Sequence, residues 1–267
     1  MEIVSKSGYV YDVSKSIIDL SEVKPKEIAW NWKPYFPAGK LVIIDGDGSV
    51  GKTTILLDII ARMTSNRAMP DGSQTDGGGA VYVLYEDGID DTIVPRLQKM
   101  GANPEKIRAI KDVVTIEGDE LVTRAFDISE DIPLLEQAVL ETDAKLVVID
   151  PITSALSANT DAYKDQQVRK ALSPLISFAE EYGVTVVMVR HYTKQKTDNI
   201  RYKGMGSMAF VNISRVGLAV LPDPDDENIM LLIHTKHNLT KGAKPLRYQI
   251  VYDKDEFSYV HGREIRA

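Results

Sequence analysis

Gly46-Asp47-Gly48-Ser49-Val50-Gly51-Lys52-Thr53, set directly behind the apolar run Leu41-Val42-Ile43-Ile44, decides how this chain is read. The spacing is G-x-x-x-x-G-K-[ST], a loop whose backbone N–H groups curl around a phosphate. Its three glycines let the backbone turn inward without Cβ clashes. Lys52 then offers a cation to the β- and γ-phosphates, and the Thr53 hydroxyl offers a ligand to Mg²⁺. From Thr54 onward, Ile55, Leu56, Ile59, Ile60 and Met63 recur at helical spacing. Strand, loop and helix therefore arrive in the required order, and the helix N-terminus adds its dipole to the anion site. Gly46 to Thr54 are the candidate contacts of ATP.

The 267 residues suit one large α/β domain. No apolar run approaches the roughly 18 residues of a membrane span, and the polar start Met1-Glu2-Ile3-Val4-Ser5-Lys6 does not read as a signal peptide. Cysteine is absent, which removes disulfides and Cys-ligated zinc and suits a cytoplasmic protein. The net charge of −7 argues against a nucleic-acid partner, but its distribution does not. Arg190, Lys194, Lys196, Arg201 and Lys203 against Asp198 make a local +4, and Lys236, Lys241, Lys244 and Arg247 make another. Those segments leave −15 on the remainder, a pattern that fits a polyanion-facing surface on an acidic body.

Outward from the loop, Ala80 to Tyr85, Lys145 to Ile149 and Val184 to Val189 are near-continuous apolar runs, the signature of parallel strands buried on both faces. Helical patterns over Ile89–Met100, Asp131–Glu141 and Tyr163–Tyr182 alternate with them, the last with an inner face of Val168, Ala171, Leu172, Leu175, Ile176 and Ala179. A short strand is expected near Val113–Thr115. Val216–Leu221 and Ile229–Thr235 flank a Pro/Asp turn and predict a hairpin, with more strand near 247–251 and 257–260. The expected fold is α/β: a mainly parallel sheet flanked by helices, with antiparallel strands added at a C-terminal edge. Residues 1–29 form an N-terminal arm, which either packs on its own domain or docks on a neighbouring subunit; 30–267 form the core. Trp30, Trp32, Tyr35 and Phe36 are expected to cover a sheet edge or a nucleotide base.

Ligands of open α/β sheets sit outside the carboxyl ends of the strands, where four predicted strands end in polar residues. Asp150 closes one as the candidate Mg²⁺-holding acid. Glu86 closes another as the candidate base for the attacking water, with Asp87 as its rival. His191 is the candidate contact of the γ-phosphate or of that water. Lys194, Lys196, Arg201 and Lys203, on a glycine-punctuated loop, are candidates for tracking a phosphate backbone. Arg215 and Lys236 are either surface charges or cations that reach a phosphate in their own or an adjacent subunit.

With those residues in place, the chain resembles the RecA-fold ATPases of the branch that includes plasmid RepA and the DnaB-type hexameric helicases. It is most similar to RepA-like ATPases of phages and mobile elements. The shared motifs include Trp30-Asn31-Trp32, the phosphate loop, Met69-Pro70-Asp71-Gly72, Glu86-Asp87-Gly88, Val148-Ile149-Asp150-Pro151, Arg190-His191 with Lys194, and Lys203-Gly204 with Gly206-Ser207. The resemblance implies a RecA-like fold and Mg-dependent ATP hydrolysis by a ring homo-oligomer, a hexamer, acting on single-stranded DNA. It implies Lys52 and Glu86 in catalysis, Thr53 and Asp150 on the metal, His191 as γ-phosphate sensor, and Arg215 or Lys236 acting in trans. The alternative is an ATP-dependent oligomeric switch or loader that does not unwind DNA. Two positions depart from the pattern: Asn238 stands where the DnaB type has an arginine, and Lys203 stands where relatives carry one. A lysine there lacks the planar fork for bidentate phosphate contact.

Overall fold

The computed structural model describes residues 2–118, 120–193, 203–252 and 257–261. Its centre is a nine-stranded sheet. We label its strands β1 (Leu41–Gly46), β2 (Gly79–Leu84), β3 (Ile107–Ile110), β4 (Ala144–Asp150), β5 (Thr185–His191), β6 (Val216–Pro222), β7 (Ile229–His237), β8 (Leu246–Tyr252) and β9 (Phe257–His261). They lie in the order β9-β8-β7-β6-β1-β5-β4-β2-β3. From β6 to β3 every pairing is parallel, and β7, β8 and β9 extend the sheet antiparallel from β6. The expected mainly parallel sheet with added antiparallel strands is therefore the fold.

Alternate residues of each parallel strand enter different cores, the reason these strands read as unbroken apolar runs. Val42, Ile44, Tyr82, Leu84, Val148 and Val189 face helices α1 (Lys52–Thr64) and α2 (Val94–Lys99). Leu41, Ile43, Val83, Ile149 and Met188 face α3 (Ile132–Thr142), α4 (Asp165–Tyr182) and α5 (Ala209–Ile213). Each of these side chains contributes about 1.5–3 kcal/mol when fully buried. The same parity sends Asp45 and Arg190 to the second face.

Several local expectations need correcting. The helix expected over Ile89–Met100 is a π-turn, Ile89–Ile93, followed by α2, which Gly101 ends in a left-handed conformation. The inner face of α4 takes in Phe178, while Ala171 and Ile176 are only partly buried. The strand near Val113 is half of a separate hairpin, Asp112–Glu117 with Glu120–Ala125. In the N-terminal arm, Ile17, Ile18, Leu20 and Val23 are 50–83% exposed, so the arm does not pack them on its own core. The aromatic cluster closes the sheet edge away from the phosphate loop. Trp32 is fully buried, stacks on Tyr35 at 4.1 Å and donates Nε1–H to Asp71 at 3.1 Å. Beside it, Asn31 Nδ2 bonds the Lys145 carbonyl and the Thr185 hydroxyl, at the starts of β4 and β5.

Candidate nucleotide site

Helix α1 begins without a side-chain cap, behind Gly51 at φ 84°. Ser49 is also left-handed, at φ 63°. Such an alternation turns successive N–H groups into one concavity, and the uncapped helix end adds its own orphan donors. A side chain at Gly51 would be strained by its φ and would also run into Ile250 Cδ1, 2.3 Å from an ideal Cβ. Asp47, Gly48, Ser49 and Val50 span the loop between Gly46 and this point, and Thr54 is buried in the first turn of α1.

Lys52 is 4% exposed, and its ammonium donates to the carbonyls of Gly46 (2.9 Å) and Asp47 (2.7 Å). Burial pushes its pKa down, while Asp150, Asp47, Asp45 and Glu86 push it back up. His191 Nδ1 lies 3.3 Å from the same ammonium. An ammonium can only donate, so a hydrogen bond here requires the tautomer in which Nδ1 accepts and Nε2 carries the proton.

Thr53 Oγ1 donates to Asp150 Oδ2 at 2.8 Å, and the Tyr82 phenol donates to that same oxygen at 2.9 Å. Burial raises the pKa of Asp150, against the pull of these two bonds and of Lys52 and His191. A hydroxyl and a carboxylate this close form a hard oxygen pair, which suits Mg²⁺ completed by phosphate and water oxygens. Glu86 is exposed just beyond β2 and acts electrostatically on Lys52; Asp87 acts on Tyr82 instead.

The structure thus brings Lys52, Thr53, Asp150, His191 and Glu86 to the carboxyl ends of β1, β5, β4 and β2, four adjacent strands. It places Arg215 and Lys236 elsewhere. Arg215 N–H bonds the Leu41 carbonyl at the start of β1, and Lys236 pairs with Gly217, the neighbour of Ile43. Leu41 lies five steps before Gly46 and Ile43 three, about 17 Å and about 10 Å at 3.3–3.4 Å per step, so the backbone places both cations toward the end of the sheet opposite their own phosphate loop. Arg215 is exposed. Lys236 Nζ donates to the carbonyls of Val211 (2.8 Å), Asn212 (3.0 Å) and Ser214 (2.7 Å), around the end of α5.

Two other cations of the basic segments also turn inward. Arg190 is 1% exposed and forks onto Asp45, and Arg247 pairs with the buried Asp223 at 2.6 Å. The surface charge counted from sequence was therefore too high. Lys203 is half-buried beside Gly204, whereas Lys194, Lys196 and Arg201 lie outside the described residues. Tyr82 and the Asp45–Arg190 pair were missed from sequence. Their signals were a polar aromatic inside an apolar strand, and opposite charges at matching ends of two apolar runs.

Together the strand order, the phosphate loop and its acidic neighbours define a RecA-like P-loop ATPase. The model of the AAA domain family (AAA_25) matches residues 11–197, and the chain belongs to that family. DNA repair protein RadA of Halalkalibacterium halodurans is 28% identical over 159 residues, 59% of this chain and 29% of that protein. RadA of Brucella abortus is 26% identical over 200 residues, 72% of this chain and 36% of its own length. The chain thus spans about a third of the length of these relatives. A solved KaiC-like protein from Pyrococcus horikoshii OT3 shares the fold, with a TM-score of 0.58 at 18% identity over 88% of this chain and all of that one. Among the described residues, no helix is long and apolar enough to cross a membrane.

Proposed function

We propose that this chain is a Mg-dependent ATPase that works as a ring of like subunits, a hexamer in the manner of RepA-like helicases, on single-stranded DNA. One observation carries the reading: a hydrolytic cluster at one sheet edge and an exposed Arg215 at the opposite edge. A site built from Lys52, Thr53, Asp150, His191 and Glu86 has one open wall, and a second copy presenting Arg215 closes it. The relatives named as DNA repair proteins support nucleic acid as the substrate surface.

In this reading Lys52 exchanges the Gly46 and Asp47 carbonyls for β- and γ-phosphate oxygens. Thr53 and Asp150 would hold Mg²⁺, which would supply neutralisation of phosphate charge. Glu86 orients the attacking water and takes its proton as the γ-phosphorus bond to the bridging oxygen breaks. His191 donates Nε2–H toward the γ-phosphate and, through its place in β5, reports nucleotide state to the basic segment that follows. Lys236, already shared among three carbonyls, is the weaker trans candidate.

The test is ATP turnover with and without single-stranded DNA over a salt series. DNA should stimulate turnover, and binding should weaken steeply as salt rises; no binding and no stimulation at low salt would refute the DNA reading. A second reading, an ATP-dependent assembly switch or loader without unwinding, gains support from the cations held inside the chain. It predicts nucleotide-dependent oligomerisation with slow hydrolysis and no strand separation.

A further inference from the structure

Asp45 and Arg190 form the most deeply buried ion pair among the described residues, with side chains 3% and 1% exposed. They stand directly opposite one another in the β1–β5 register. Arg190 Nε donates to Asp45 Oδ1 at 2.7 Å and Nη2 to Oδ2 at 3.0 Å. The third nitrogen, Nη1, donates to the Ser207 carbonyl at 3.3 Å. The guanidinium also lies 5.4 Å from the Phe210 ring centre. It passes so close to Gly204 that an ideal Cβ there would meet its atoms at 2.0–2.4 Å.

Each end of this pair touches working machinery. Asp45 precedes Gly46, whose carbonyl accepts from Lys52 Nζ and from the Tyr192 N–H. Arg190 precedes His191, whose carbonyl accepts from Met205 N–H at 2.8 Å. Ser207 in turn bonds Asp165 at the start of α4 and accepts from Ala209 N–H. Buried ion pairs are commonly replaced by apolar residues without loss of stability, so holding the sheet together does not require this one. An apolar pair, however, cannot fork onto a carboxylate in one strand while bonding a carbonyl in a separate turn.

We propose that Asp45–Arg190 is a positioning pair that couples the phosphate loop to the turn Gly204–Ser207 at the base of the basic segment. A shift of β1 at its Gly46 end, as the loop closes on a triphosphate, moves the carboxylate, the guanidinium and the Ser207 carbonyl together. Gly204 is required because Arg190 occupies the space of its side chain; its own φ is not in the left-handed region. The proposal rests on the nucleotide reading of the site.

The test uses the full chain, the double variant Asp45→Leu/Arg190→Met, and Gly204→Ala in both backgrounds. Replacing both partners avoids stranding a single buried charge. ATP affinity is measured first, then turnover, then trypsin cleavage after Lys203 with and without a non-hydrolysable ATP analogue. The wild-type cleavage rate should respond to nucleotide, and the double variant should bind ATP within about 2-fold of wild type yet lose that response. Its turnover should fall about 3- to 30-fold, the range for coupling residues that touch neither ligand. Gly204→Ala should reproduce the defect in the wild-type background and add nothing to the double variant. Wild-type cleavage that ignores bound nucleotide, or a double variant with wild-type turnover and response, would overturn the coupling. A wild-type chain that binds no ATP would instead overturn the ATPase reading and the coupling with it.

Discussion

Tyr82→Phe removes a phenol that bonds Asp150 and also touches Thr53, the two residues proposed to hold the metal. The phenol lies on the α1 face of the sheet, 2% exposed, and donates at 2.9 Å to Asp150 Oδ2, the oxygen that also accepts from Thr53. Phenylalanine keeps the ring in the core cluster that includes Ile60, Ile93 and Leu97 and deletes only the hydroxyl. The deletion strands no polar atom, because Asp150 Oδ2 retains Thr53. What is lost is a bond to an ionised group, worth about 1.5–3 kcal/mol, or about 10- to 100-fold at 1.4 kcal/mol per decade. Groups that orient a metal ligand change metal affinity or activity by a similar 10–100-fold. The Mg²⁺ concentration giving half-maximal ATP turnover should therefore rise about 10- to 100-fold in the variant, with ATP binding largely retained. The sign of a pH effect follows too. Burial raises the Asp150 pKa and the Tyr82 bond opposes it, so deletion moves the acid limb of the activity profile to higher pH. A folded variant whose Mg²⁺ dependence stays within about 2-fold of wild type would refute the claim that Tyr82 orients the metal-holding carboxylate.

Glu86→Gln should retain ATP binding and lose hydrolysis by about 100-fold or more; if Asp87→Asn does so instead, the base is Asp87. Arg215→Ala should abolish turnover, and adding Lys52→Ala subunits should restore it, because mixed rings pair an intact phosphate loop with an intact Arg215. No recovery in assembled mixtures would remove Arg215 from the trans role. His234 packs against Tyr35, and burial, helped by His237, lowers its pKa to about 4. Between the ordinary histidine value of 6.5 and about 4 the unfolded chain then binds more protons, so stability falls as pH falls through that window. His234→Phe should flatten the change in Tm between pH 7 and pH 5; an unchanged slope would point to other groups.

The parallel core was legible because its strands are buried on both faces, so Leu41–Ile44, Lys145–Ile149 and Val184–Val189 contain almost nothing but β-forming apolar residues. The strand ends were legible for a related reason: a polar residue closing such a run can only lie at the edge where ligands bind. The hairpin strand Glu120–Ala125 left no such trace. It buries little, and Leu121 and its partner Ile116 are 73% and 77% exposed. The fate of the cations was also hidden. Arg190 counts as surface charge until the register sets it opposite Asp45, and Lys236 until β7 brings it beside the carbonyls that end α5. Local composition carries charge, whereas pairing depends on which strands become neighbours.

The contact of Ile250 with Gly51 bears on where this protein can be cut. The family match ends at residue 197, before β6 begins. A fragment trimmed to that match would lose β6, leaving β1 unpaired on one side along Val42–Asp45, an open apolar edge of the kind that templates aggregation. It would also lose β8 and with it the Ile250 side chain that packs over Gly51. The smallest autonomous unit is therefore larger than the family match, because strands beyond residue 197 shield the strand that carries the phosphate loop.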